Sequence, residues 1–85
     1  MSAARMEGRM ASTTIDLRGM ATDPRHELLF GTLFGLAAGD SMEVTNDHDP
    51  AHLEARLDAE HPGRFGWTWL ERGPAAWRFR VDRLT

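Results

Sequence analysis

From Thr13 to Leu17 the apolar Ile15 and Leu17 alternate with the polar Thr14 and Asp16, the period of a half-buried strand, and Gly19 then lets the chain turn. Asp23 and Pro24 read as the N-cap and first residue of a helix, where the missing N–H of proline is no loss. That helix is predicted to run from Pro24 to about Ala38, with Leu29, Leu33, Leu36 and Ala37 on its apolar stripe and Gly39 at its stop. Gly31 and Gly35 fall one turn apart inside it. A helical glycine costs about 1 kcal/mol, so a close approach is expected there. Tight packing against a sheet is the first reading, a helix–helix contact between two copies the second.

Ser41 to Thr45 supplies a second strand with Met42 and Val44 inward, and a second helix follows from Pro50 to about His61, anchored by Leu53 and Leu57 and stopped by Pro62-Gly63. Phe65–Glu71 and Ala75–Asp82 form a hairpin around Arg72-Gly73-Pro74. Trp77, Phe79 and Val81 share one face of the last strand and Arg78 and Arg80 the other, as in a sheet covered on one side only. Phe65, Trp67 and Trp69 are read as packing. The predicted fold is α+β: a two-layer α/β sandwich in the order β-α-β-α-β-β, with a four-stranded mixed sheet and two helices on one face.

At 85 residues the chain has room for one small core, placed over residues 13–85, and a shallow surface site is expected. A net charge of -3 offers no broad attraction to nucleic acid or an anionic membrane. The absence of cysteine excludes disulfides, thiolate metal ligands and cysteine nucleophiles. Residues 1–12 are small, Arg-dotted and without the apolar core of a secretory signal, which suggests a disordered leader on a cytoplasmic protein.

The chemistry concentrates at the helix starts. Asp23-Pro24-Arg25-His26 is echoed by Asp49-Pro50-Ala51-His52, so both helices are expected to begin alike, at the carboxyl edge of the sheet where open sheets bind ligands. His26 and His52 would then lie in first turns, where partial positive charge disfavours imidazolium. Neutral imidazole binds transition metals, and a carboxylate such as Asp47 can ligate or orient a ring. The expected metal ligands are His26 and His48, with Asp47 or His52 assisting. The rival is an anion held at the helix start with Arg25 as its cation. Arg18, Arg78, Arg80, Asp16 and Glu43 are assigned to a solvated charge ladder on the open face of the sheet.

Ile15-Asp16-Leu17-Arg18-Gly19, Arg25-His26, Asn46-Asp47-His48-Asp49-Pro50, His61-Pro62-Gly63-Arg64-Phe65, Glu71-Arg72-Gly73-Pro74 and Trp77-Arg78 together resemble the bacterial family known as domain of unknown function 2249. The resemblance spans nearly everything after residue 13. Members look like relatives of the TusA-type sulfur carriers, whose fold has the same element order. The Cys-Pro that opens the first helix of those carriers is replaced here by Thr22-Asp23, so the resemblance supports the fold and contradicts sulfur transfer. His52 is not part of the family pattern. The resemblance also implies a redox or nitrogen-oxide setting and a hemerythrin-like or redox protein as partner. The expected function is a small non-enzymatic module holding a transition metal ion (Cu, Zn or Fe), with a metal-free protein-interaction or small-anion sensing module as the alternative.

Overall fold

The computed structural model describes residues 12–85, and in it the apolar alternation becomes four strands and two helices. They are β1 (Ser12–Asp16), α1 (Thr22–Phe34), β2 (Ser41–Asn46), α2 (Ala51–Glu60), β3 (Phe65–Arg72) and β4 (Trp77–Arg83). The leader expected over residues 1–12 lies outside the described residues, apart from Ser12, which opens β1.

The sheet order is β1-β2-β4-β3, with β1 parallel to β2 and β4 antiparallel to both of its neighbours. The register aligns Ile15 with Val44, Val44 with Phe79, Met42 with Val81, Trp67 with Val81 and Trp69 with Phe79. Because side chains alternate along a strand, this register gathers the apolar residues on one face. Leu29 and Leu33 of α1 and Leu53 and Leu57 of α2 close over that face, and Met42, Phe79 and Val81 lose all contact with solvent. Each such side chain contributes about 1.5–3 kcal/mol of burial. Trp67 lies flat on Phe79 with ring centroids 4.1 Å apart, so the aromatic face of the hairpin is packing, as expected.

The other face is open. Arg78 lies 3.7 Å from Glu43 and Arg80 3.1 Å from Asp82, both pairs partly solvated, which is the charge ladder read from the sequence. At the end of β1, hydrogen bonds from Arg18 hold the Asp16 carboxyl down to about 2.

Two expectations fail along α1. The helix ends at Phe34 rather than near Ala38, with Gly35 as its C-cap. The chain then reverses through Gly39 at φ 93°, and Asp40 Oδ2 accepts the Ala37 N–H at 3.2 Å. Leu36 still reaches the core from this turn, but Ala37 is exposed. Nor does the sheet approach Gly31 closely: a Cβ there would meet nothing within 4 Å. Among the described residues no helix is long and apolar enough to cross a membrane.

Candidate functional site

The parallel β1-α1-β2 unit brings the β1–α1 and β2–α2 loops side by side at the carboxyl edge of the sheet, where Leu17 N–H donates to Thr45 O at 2.8 Å. Both helices begin at this edge, but not in the same way. In α1 the cap is Ala21, whose carbonyl accepts the Arg25 N–H at 3.0 Å, so Asp23 is the second helical residue and caps nothing. Pro24 is the third. None of the first four N–H groups of a helix has an intrahelical partner, so proline does not fix which of these positions it takes. In α2 the cap is Pro50, and Asp49 Oδ1 accepts the Ala51 N–H at 3.0 Å. His26 is therefore the fifth helical residue of α1 and His52 the second of α2, not the common third position predicted for both.

Arg25 organises the edge. Its Nη2 and Nε donate to the Met20 carbonyl at 2.6 and 3.2 Å, and its Nη1 donates to Asn46 Oδ1 at 2.8 Å and Asp47 Oδ1 at 2.9 Å. Asn46, the buried polar residue at the end of β2, also accepts the Asp47 N–H at 2.9 Å. Asp47 Oδ2 accepts the N–H of Gly19, whose φ of 78° turns that amide towards the carboxylate. The Gly19 hydrogen bond above all, helped by those from Arg25 and His48, holds the Asp47 carboxyl far below the usual carboxylate range. One guanidinium and one carboxylate thus tie both loops to α1.

His48 closes the cluster. Its Nδ1 contacts Asp47 Oδ1 and lies 3.0 Å from Arg25 Nη1. Since the ionised Asp47 carboxylate can only accept, the contact is an Nδ1–H donating to it, and Nε2 is left on a ring whose side chain is 69% exposed. The expected partner His26 turns elsewhere. It meets Phe30 edge-on at 6.0 Å and, with His52, lines a groove of about 300 Å³ between the two helices. Leu29, Phe30, Pro50 and Leu53 give that groove an apolar floor, and Arg56 sits on its rim, its guanidinium 5.5 Å from the Phe30 ring centre.

The structure therefore gathers Asp47 and His48 around Arg25, while His26 and His52 line the groove whose wall Arg25 and Asn46 share. Among the described residues no group of three or more His, Cys, Asp or Glu side chains gathers to hold a metal ion. The donor set around His48 fits a resident metal poorly, because a guanidinium lies against both candidate ligands. Arg25, expected as the cation for an anion, has most of its donors engaged by the protein itself. Arg25 nonetheless lines the groove, and beside it stands a second cation, Arg56, which sequence reasoning missed. Its signal was spacing: Arg56 lies four residues after His52, and Phe30 four after His26, so each pair shares a helix face.

On the opposite flank of α2 a larger cleft of about 520 Å³ opens against β3, walled by Ala51, Ala55, Phe65 and Trp67 with Glu54 and Asp58. Its charged lining is two carboxylates, the half-buried Glu54 and the exposed Asp58, which specify no ligand. The groove with His26, His52 and Arg56 is the better candidate, since polar groups from both helices converge on it over an apolar floor.

Compared with known families, the chain matches the family model described as "Uncharacterized conserved protein (DUF2249)" over residues 14–83, well over half its length. Searches of curated proteins and of solved structures return no match.

Proposed function

Starting from the fact that this chain belongs to the DUF2249 family of uncharacterized conserved proteins, we propose that it is a binding module that takes an anionic group, a carboxylate or an oxyanion, in the groove between the starts of its two helices. One observation carries the reading: His26, His52 and Arg56 border an apolar floor, and no carboxylate is among the lining residues. A guanidinium and two imidazoles over such a floor favour an anion bearing an apolar body, with Arg56 able to meet a carboxylate through two parallel N–H groups. The Arg25–Asp47 network supports this role by fixing the two loops, so the groove is formed before a ligand arrives.

Benzoate, a carboxylate on an apolar ring, is the probe. Titration followed by ¹H–¹⁵N correlation spectra should shift resonances of Phe30, Leu53 and Arg56. Arg56→Ala and His52→Ala should each weaken the response. Shifts scattered over the open face of the sheet, or unaffected by both substitutions, would reject the groove.

One feature favours a second reading. A ring whose Nδ1–H is held by a carboxylate presents Nε2 outward, the orientation that outer carboxylates impose on metal-ligating histidines, and His48 is held by Asp47 in this way. The expected redox or nitrogen-oxide role belongs with that reading. Metal analysis of untagged protein decides it. Stoichiometric Cu, Zn or Fe that is lost in His48→Ala supports a metal module. Protein that declines all three metals removes it.

A further inference from the structure

The groove does not end at Arg56. His26, Phe30 and Phe34 stand four residues apart on one stripe of α1, Phe30 stacks on Phe34 at 5.9 Å, and Phe34 meets His61 at 5.4 Å and Phe65 at 6.3 Å. The row runs roughly 12 Å along the helix at about 1.5 Å per residue. Phe30 and Phe65 pack partly buried against the core, and Phe34 between them is 49% exposed. Cations flank the two ends of the row, Arg56 over Phe30 and Arg83 over Phe65, each at 5.5 Å. Phe34 carries the partly buried aromatic row out to the surface, where its ring offers apolar area to another molecule.

Length and charge narrow the occupant. A small ligand buried in the groove would leave Phe34 uncovered, whereas roughly 12 Å matches two turns of a helix, whose apolar anchors recur at three- and four-residue steps. The basic groove asks for carboxylates on that helix. Glu60 now pairs with Arg56 at 3.3 Å, with both side chains more than half exposed, and an ion pair of that kind is weak enough for an incoming carboxylate to replace.

We propose that the row from His26 to Phe65 docks an acidic amphipathic helix of a protein partner, its apolar anchors covering Phe30 and Phe34 and its carboxylates meeting Arg56 and His52. The proposal rests on the anionic-group reading of the groove and names the molecule that carries the anion.

The test is selection of peptides from a random 16-residue display library on the full chain, followed by calorimetry of the enriched peptides beside benzoate. Enriched sequences should pair apolar residues at helical spacing with flanking Asp or Glu. Phe34→Ser should weaken peptide binding about tenfold or more and leave benzoate binding unchanged. Arg56→Ala should weaken both. Glu60→Gln should tighten the peptide, and Leu28→Ser, on another exposed side of α1, should alter neither. Circular dichroism checks that each variant is folded. Basic sequences, no enrichment, or peptides indifferent to Phe34→Ser overturn the docking surface while benzoate binding stands. A fatty acid that binds in a Phe34-dependent manner while peptides do not would assign the row to a lipid chain and also overturn the proposal. Peptide binding without benzoate binding would remove the small-anion reading alone.

Discussion

Asp23-Pro24-Arg25-His26 and Asp49-Pro50-Ala51-His52 are the same pattern in two places, and they build different helix starts. In the first, the helix begins before Asp23, whose carboxylate caps nothing. In the second, it begins after Pro50, and Asp49 supplies the side-chain acceptor. The third residue makes the difference. Arg25 reaches across to Met20, Asn46 and Asp47 and anchors α1 through tertiary contacts, whereas Ala51 has no side chain that could do so, and α2 relies on its local cap. A helix start held by long-range hydrogen bonds has no need of a local one.

Removing the anchor should have the largest effect. Arg25→Met leaves the Met20 carbonyl without its side-chain donors, strips Asn46 Oδ1 of one of its two, and should destabilise the protein by about 2–3 kcal/mol in urea denaturation. A loss no greater than that of the cap variant described below would show that α1 is held otherwise.

Acid should act on the same anchor, less strongly because Asp47 is partly exposed and screened. Its carboxyl titrates lower in the folded protein than in the unfolded chain, so the stability it contributes is present above the ordinary carboxylate range, about pH 4 and upward. That contribution is lost as the pH falls from there through the depressed folded value. The gap in melting temperature between wild type and Asp47→Asn should therefore be widest near neutral pH and shrink in acid. A gap that does not change with pH would mean that the carboxylate charge is immaterial.

The local caps come next. Asp49→Ala removes the acceptor for the Ala51 N–H and should cost about 0.5–1 kcal/mol. Asp23→Ala, at the matching position of the first motif, forfeits only a first-turn dipole interaction of about 0.3 kcal/mol. Equal losses at the two aspartates, read from the same denaturation curves, would erase the distinction between the starts.

Much of the architecture was legible in the chain, for a reason visible in particular residues. Met42 and Val44, or Phe79 and Val81, alternate with polar neighbours, and only one register buries all four. Leu53 and Leu57, one turn apart, could anchor α2 in only one rotation about its axis. The end of α1 was less legible, because Leu36 is apolar and buried while lying beyond the last helical turn. Periodicity records that a residue is buried and does not say which backbone conformation buries it. The site was half legible: Arg25, His26, Asp47, His48 and His52 were named, though with His26 beside His48, and Arg56 and Phe34 were not.

By itself the sequence determined the order of elements, the face each strand buries and the family to which the chain belongs, since these follow from side-chain spacing that persists along the backbone. The tertiary structure alone decided which polar groups meet. Arg25 and Asp47 lie 22 residues apart, His26 and His52 come from different helices, and that His26 faces a phenyl ring of the groove depends on the rotation of α1 over the sheet. That rotation is set by Leu29 and Leu33 packing into the core, and the side chains of the groove follow from it.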